Sequence, residues 1–252
     1  GPSRPNARHR LVVEPSGTAI AVDAEELAYQ NVDWAPASEQ LGDTIYEAYG
    51  LQSLVIPGAQ PHPTPLVQSA SMASVAPPKP NYRPHIPAML VANGTLSDAQ
   101  IEAIIYAGEA HSGHMSGAWT VDGAWDVVSA AADDAEGAVR FRRGWFLGDG
   151  TGAGKGRQVA GIILDNWCKG RRRAVWISVS DRLLEDAQRD WSALGQERLL
   201  VTPLSRYRQG TPIRLAEGIL FTTYATLRSQ ERAGKASRVS QIVERLRPDS
   251  DG

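Results

Sequence analysis

The chain has 252 residues, 42% of them hydrophobic and 21% charged, with a formal net charge of −2 at pH 7. That length buries a sizeable core, as one large domain or a domain with an extension. The near-neutral balance excludes a globally basic nucleic-acid coat, so nucleic acid would have to be met by local patches. The single cysteine, Cys168, excludes an intrachain disulfide framework and suits a reducing compartment, and no apolar run reads as a membrane span or signal peptide.

Residues 1–10 are polar and predict disorder or a tag remnant, since the opening Gly1 and Pro2 resemble what a protease leaves behind; this predicts a cut fragment. Residues 11–87 read as an N-terminal extension. Apolar clusters at 11–13 and 18–22 predict a few short strands, and residues 57–87 are dense in proline, with PHPTP at 61–65 and APPKP at 76–80. Composition alone makes this a polyproline-like linker that could dock a protein partner.

The remainder, residues 88–252, reads as one α/β unit. Residues 96–111 predict a helix: Ser97 is a good N-cap, Gln100 completes a capping box, and Ile101, Ile104 and Ile105 form its buried stripe. His111 and His114 are spaced like a metal pair but lack an acidic or cysteine partner at fitting spacing. Residues 112–140 read as a Gly-, Ala- and Asp-rich insertion containing Trp119 and Trp125, with one short helix over 124–132. Two arginine clusters, Arg140, Arg142, Arg143 and Arg171, Arg172, Arg173, are candidate phosphate-backbone contacts.

The most informative stretch is GDGTGAGKGRQ, residues 148–158, expected to follow a strand containing Trp145, Phe146 and Leu147. Gly148, Gly150, Gly152 and Gly154 permit positive φ and close ligand approach, so successive amides can point at an anion. A helix starting near Lys155 adds its positive end, and the lysine can reach terminal phosphates. The loop departs from G-x-x-x-x-G-K-[ST] at Asp149 and at Gly156, where a hydroxyl should hold magnesium, leaving Thr151, water or a distant carboxylate for that role. Two rival readings are a structural glycine turn and a dinucleotide fingerprint formed by Gly148, Gly150 and Ala153 with Asp181 as the ribose acid.

Beyond the loop, Val159, Ile162, Ile163 and Trp167 recur at helical spacing until Gly170 stops the helix. Residues 173–179 predict a buried strand. Ser180 then caps a helix with Leu184, Ala187, Trp191 and Leu194 on one face. Further strands are expected at 199–202 and 218–222, and a last helix over 237–246 with Val239, Ile242, Val243 and Leu246 inward. Strands alternating with helices imply a parallel sheet flanked by helices on both sides.

The run at 148–157 resembles the phosphate loop of the strawberry notch family of superfamily 2 helicase-like ATPases, and PHPTPLVQSASMASVAPP at 61–78 is similar to a segment preceding their ATPase core. It is also similar to the loop of chromatin-remodelling translocases, in which Asp149 matches an acidic position and Gly156 a threonine. The resemblance implies a RecA-like first helicase lobe, with residues 61–78 packed in an extended path over it. It implies ATP and Mg²⁺ as cofactors, nucleotide binding by Gln100, Asp149, Gly150, Thr151, Gly152, Ala153, Gly154, Lys155, Gly156 and Arg157, and adenine selection by Gln100, whose other reading is a cap alone. WISVSDRL at 176–183 and ILFTTYATL at 219–227 are similar to strand-end motifs that touch nucleic acid, implying contacts from Ser178, Ser180, Thr222 and Thr223, with DNA ahead of RNA.

No acidic magnesium box or second lobe is recognised in the sequence. The expectation is the N-terminal part of such an ATPase, in which only Lys155 of the catalytic set is present, binding nucleotide weakly and turning it over hardly at all. The expected compartment is the cytoplasm of a bacterium or phage host, or the nucleus if the source is eukaryotic. The alternatives are a protein-interaction module with a degenerate loop, and a dinucleotide-binding Rossmann enzyme.

Overall fold

The computed structural model describes residues 24–35, 45–124, 126–228 and 237–247. The expected disorder at 1–10, the strands at 11–13 and 18–22, and Trp125 lie outside them. In chain order the elements are β1 (Ala24–Glu26), β2 (Gln30–Asn31), β3 (Tyr46–Ala48), β4 (Leu54–Val55), β5 (Val67–Ser69), α1 (Ala70–Ala73), β6 (His85–Pro87), α2 (Ala88–Ala92) and α3 (Asp98–Ser112). They continue with β7 (Ala118–Val121), β8 (Val128–Ala131), α4 (Lys155–Cys168), β9 (Arg173–Ser178), α5 (Leu184–Ala193), β10 (Val201–Pro203), β11 (Gly218–Thr223), α6 (Tyr224–Leu227) and α7 (Arg238–Leu246).

Three of these strands form a parallel sheet in the order β10-β11-β9. The central strand β11 is buried throughout, as expected for a parallel strand covered on both faces. Its side chains alternate. Ile219 and Phe221 join the large core with Ala160, Leu164, Trp167 and Trp191 from α4 and α5 and with Leu194 just past α5, whereas Leu220 packs with Leu204 and with Ile242 of α7 in a second cluster. Trp167 and Trp191 meet edge to face, with centroids 5.6 Å apart, and lock α4 to α5.

The N-terminal strands pair in short antiparallel ribbons: β1 with β6, β2 with β4 and β3 with β5. Leu27, Tyr29, Leu54, Ile56 and Ile86 from this part enter the same large core as α3 and α4. Within the proline-rich stretch, Pro61, Pro63 and Pro65 are exposed and Ala73, Pro80 and Pro84 are buried.

Three local expectations are corrected. No helix spans 124–132. Val127 and Val128 are β-branched, and the Asp122 carboxylate accepts the amides of Asp126 and Val127 at 2.8 and 3.0 Å, so the chain turns and β8 pairs antiparallel with β7. Residues 145–147 form no strand, because none of the described strands takes their backbone groups; Phe146 is 89% exposed. In α7 the buried positions are Gln241, Ile242 and Arg245, while Leu246 is exposed. Gln241 donates to the carbonyls of Arg208 and Thr211, and Arg245 to those of Leu215 and Gly218, so polar residues take the inward face to satisfy loop carbonyls.

Candidate functional site

The loop at 148–154 leads into α4 through a left-handed residue. Gly154 has φ 74° and is the N-cap, and Gly152 has φ 85°, a conformation costly for any residue with a Cβ. The first intrahelical bond of α4 runs from Gln158 N–H to Gly154 O at 3.1 Å. The amides of Lys155, Gly156 and Arg157 therefore precede the helical ladder and stand at the positive end of a 14-residue helix.

Two buried glutamines grip the loop from beneath. Gln100 is 6% exposed and its side chain is used at both ends: Oε1 accepts the Ser97 amide at 3.0 Å, and Nε2 donates to Ala153 O at 3.3 Å. A Cβ on Gly154 would lie 2.4 Å from Gln100 Nε2, so a side chain there would strain the left-handed backbone and also push the Gln100 amide off Ala153. Gln158, 2% exposed, donates from Nε2 to the same Ala153 carbonyl at 3.3 Å and to Asp149 Oδ2 at 3.0 Å, and its Oε1 has no donor among the described residues. The capping box expected from Ser97 and Gln100 is thus also a loop anchor.

Lys155 Nζ donates to Asp149 O at 2.7 Å and Gly150 O at 3.0 Å, which folds the ammonium over the loop. Arg157 reaches Thr95 O at 3.3 Å. Thr151 and Gly150 are exposed, and a Cβ on Gly150 would meet nothing within 4 Å. Loop amides, a lysine and a helix N-terminus suit an anionic phosphate chain. Magnesium bound alongside such a chain draws most of its oxygens from phosphates and water, so one or two protein oxygens beside the loop would complete its shell.

Behind the loop lies Glu102 of α3, buried and accepting the Tyr49 hydroxyl. Burial, helped by the negative charge of Asp149, pushes its carboxyl up to about 8. Two turns further along α4, Asp165 is 1% exposed and accepts the Tyr82 hydroxyl at 2.5 Å, the His85 amide at 2.7 Å and Lys169 Nζ at 3.3 Å. Lys169 also lies 3.7 Å from the Tyr82 ring centroid and donates to Arg83 O. Residues 82–85 are therefore fastened to the helix that carries the phosphate loop.

The four residues expected to touch nucleic acid lie at one end of the sheet, where Ser178 pairs in register with Thr223. Ser178 and Ser180 are half-buried, and Ser180 Oγ accepts the Arg182 amide at 3.2 Å as a cap. Thr222 and Thr223 are both buried; Thr223 caps α6 through the Thr226 amide. The arginine clusters are engaged locally: Arg140 with Asp133, Arg142 with His111 O, Arg143 with His114 O, Arg171 with Asn166, Arg172 with Glu217, and Arg173 with Ala216 O. Among the described residues no group of three or more His, Cys, Asp or Glu is placed to hold a metal.

The sequence reading missed Gln158, Glu102 and Asp165. A signal existed for two of them: Gln158, Gly161 and Asp165 recur at 3.6-residue spacing on the buried face of α4.

Residues 61–252 match the family described as P-loop containing NTP hydrolase pore-1. The chain is 36% identical over 196 residues to Protein FORGETTER 1 of Arabidopsis thaliana, covering 76% of this chain and 13% of that protein. It is 34% identical over 198 residues to Protein strawberry notch homolog 1 of Gallus gallus, covering 76% and 14%, and 33% identical over 241 residues to Protein strawberry notch of Drosophila melanogaster, covering 92% and 12%. The chain thus spans about an eighth of the length of these relatives. No solved structure matches, and no helix among the described residues is long and apolar enough to cross a membrane. With a glycine loop, a lysine at the head of α4 and this match over most of its length, the chain belongs to the strawberry notch family and carries its P-loop NTP hydrolase domain.

Proposed function

We propose that this chain is the ATP-binding part of a helicase-like ATPase, an incomplete first RecA-like lobe whose parent protein couples ATP hydrolysis to movement along, or remodelling of, nucleic acid. The observation that carries this reading is Lys155 at the head of α4, its ammonium over the loop carbonyls of Asp149 and Gly150. A nucleotide's phosphates would take the lysine from those carbonyls and accept the amides of Gly152 to Arg157. Lys155 would then neutralise the β and γ phosphates, and Gln100 and Gln158 would hold the loop in its binding shape. Magnesium would further neutralise the phosphate chain, and Thr151 is the hydroxyl residue within the loop.

Nucleic acid, DNA ahead of RNA, would run past Ser178 and Ser180 at the end of β9, where short hydroxyls suit phosphate oxygens. The exposed Pro61, Pro63 and Pro65 offer a site for a protein partner. The parent would act in the cytoplasm or nucleus.

Calorimetric titration with ATP, ADP and NAD in magnesium tests the reading. Binding of ATP and ADP that Lys155→Ala abolishes supports it. Preference for NAD, or ATP binding indifferent to Lys155→Ala, refutes it.

A further inference from the structure

The residue after a phosphate-loop lysine is ordinarily Ser or Thr, whose hydroxyl reaches the magnesium bound with the nucleotide. Here it is Gly156, and the backbone does not demand glycine: Gly156 is not among the positive-φ glycines, and it sits in the first turn of α4, where glycine costs up to about 1 kcal/mol relative to alanine. What a side chain there would meet is a neighbour. A Cβ built on Gly156 would lie 2.0 Å from Asp190 Oδ2 and 3.1 Å from its Cγ. A carboxylate oxygen from α5 thus stands where the side chain of a serine or threonine at 156 would begin.

Asp190 faces the charges of Arg157 and Arg189, but neither fixes its carboxylate by a direct bond. It is half-buried, and among the described residues it makes no hydrogen bond or ion pair. Arg157 and Arg189 lower its carboxyl pKa, but burial outweighs them and raises it.

We propose that Asp190 supplies the magnesium-ligating oxygen of this phosphate loop, in place of the hydroxyl that Gly156 lacks, and that glycine stands at 156 to admit it. The proposal rests on the nucleotide reading above. Magnesium on a nucleotide needs only one or two protein oxygens, directly or through water, so a single carboxylate is enough. A carboxylate differs from a hydroxyl in one respect that can be measured. Without metal its charge repels the triphosphate, and with metal it attracts the complex, so Asp190 makes binding more dependent on magnesium than a threonine would.

The test measures ATP affinity of the 252-residue chain with and without magnesium, and Mn²⁺ affinity of the ATP complex by electron paramagnetic resonance. For Asp190→Asn the proposal expects the magnesium-dependent gain and the Mn²⁺ affinity to fall on the order of tenfold, while metal-free ATP affinity holds or rises. In the double variant Gly156→Thr, Asp190→Ala the dependence returns relative to Asp190→Ala alone, because the removed carboxylate leaves room for a hydroxyl. Should Asp190→Asn not fold, this pair of alanine variants decides the matter. Unchanged magnesium and Mn²⁺ dependence in Asp190→Asn, or a double variant no more metal-dependent than Asp190→Ala, overturns the proposal alone. Failure of the unmodified chain to bind any nucleotide overturns the nucleotide reading and this proposal together.

Discussion

Gln100 Nε2 donates to the Ala153 carbonyl at 3.3 Å, so the residue that caps α3 also fixes the phosphate loop, 53 positions away in sequence. Its two ends can be separated by substitution. Gln100→Glu keeps the oxygen that accepts the Ser97 amide but loses the donor to Ala153. The new carboxylate, buried against the Ala153 carbonyl, should destabilise the loop and weaken ATP binding. Gln100→Ala loses both ends and should cost about 1–2 kcal/mol in chemical denaturation as well. Equal stability and equal ATP affinity for the two variants would refute the double role.

Asp165 gives the largest expected stability effect. It holds Tyr82, His85 and Lys169 at 1% exposure, and breaking such a buried ion pair from one side leaves Lys169 uncompensated. Asp165→Asn should cost about 3 kcal/mol by urea denaturation, with faster proteolysis near residues 80–87. A loss no larger than that of an exposed ion-pair variant such as Asp33→Asn would show that the hub does not fasten this segment.

Tyr82 is packed as tightly as it is bonded. A Cβ on Gly108 would fall 2.0 Å from Tyr82 Cε1, and the ring cannot retreat without leaving Asp165. Gly108→Ala is expected to cost about 1–3 kcal/mol despite alanine's better helix propensity. A gain in melting temperature would contradict that packing.

The Glu102 carboxyl sets a pH dependence. Its folded pKa, about 8, lies above the ordinary value of 4.5, so the folded state binds a proton that the unfolded state has released. The stability from protonated Glu102 is full below pH 4.5 and is lost as pH rises through 8. Glu102→Gln keeps an acceptor for Tyr49 and removes the titration. It should melt close to the unmodified chain at pH 5 and several degrees higher at pH 9; parallel melting curves across that range would rule out a buried, titrating Glu102.

The parts of the fold legible in sequence are those written locally. Ser97 and Gln100 announce the start of α3, Gly170 ends α4 at φ 90°, and the stripe of Ala187, Trp191 and Leu194 fixes the buried face of α5. The parts that were not legible depend on distant partners. Residues 145–147 have a strand's composition but no neighbouring strand among the described residues, and Ala118–Val121 and Val128–Ala131 pair because β7 and β8 satisfy each other, which no helical count over 124–132 reveals. The loop motif marked Lys155 and Gly154 as candidates, whereas Asp190 approaches Gly156 from another helix and left no mark near the motif.

The central claim, that residues 148–158 form a nucleotide site, is tested most directly by amide hydrogen exchange with and without ATP and magnesium. The account predicts slower exchange concentrated in amides 150–157, with the effect absent in Lys155→Ala. Unchanged exchange in that segment under saturating ATP, or protection confined to other parts of the chain, would contradict it.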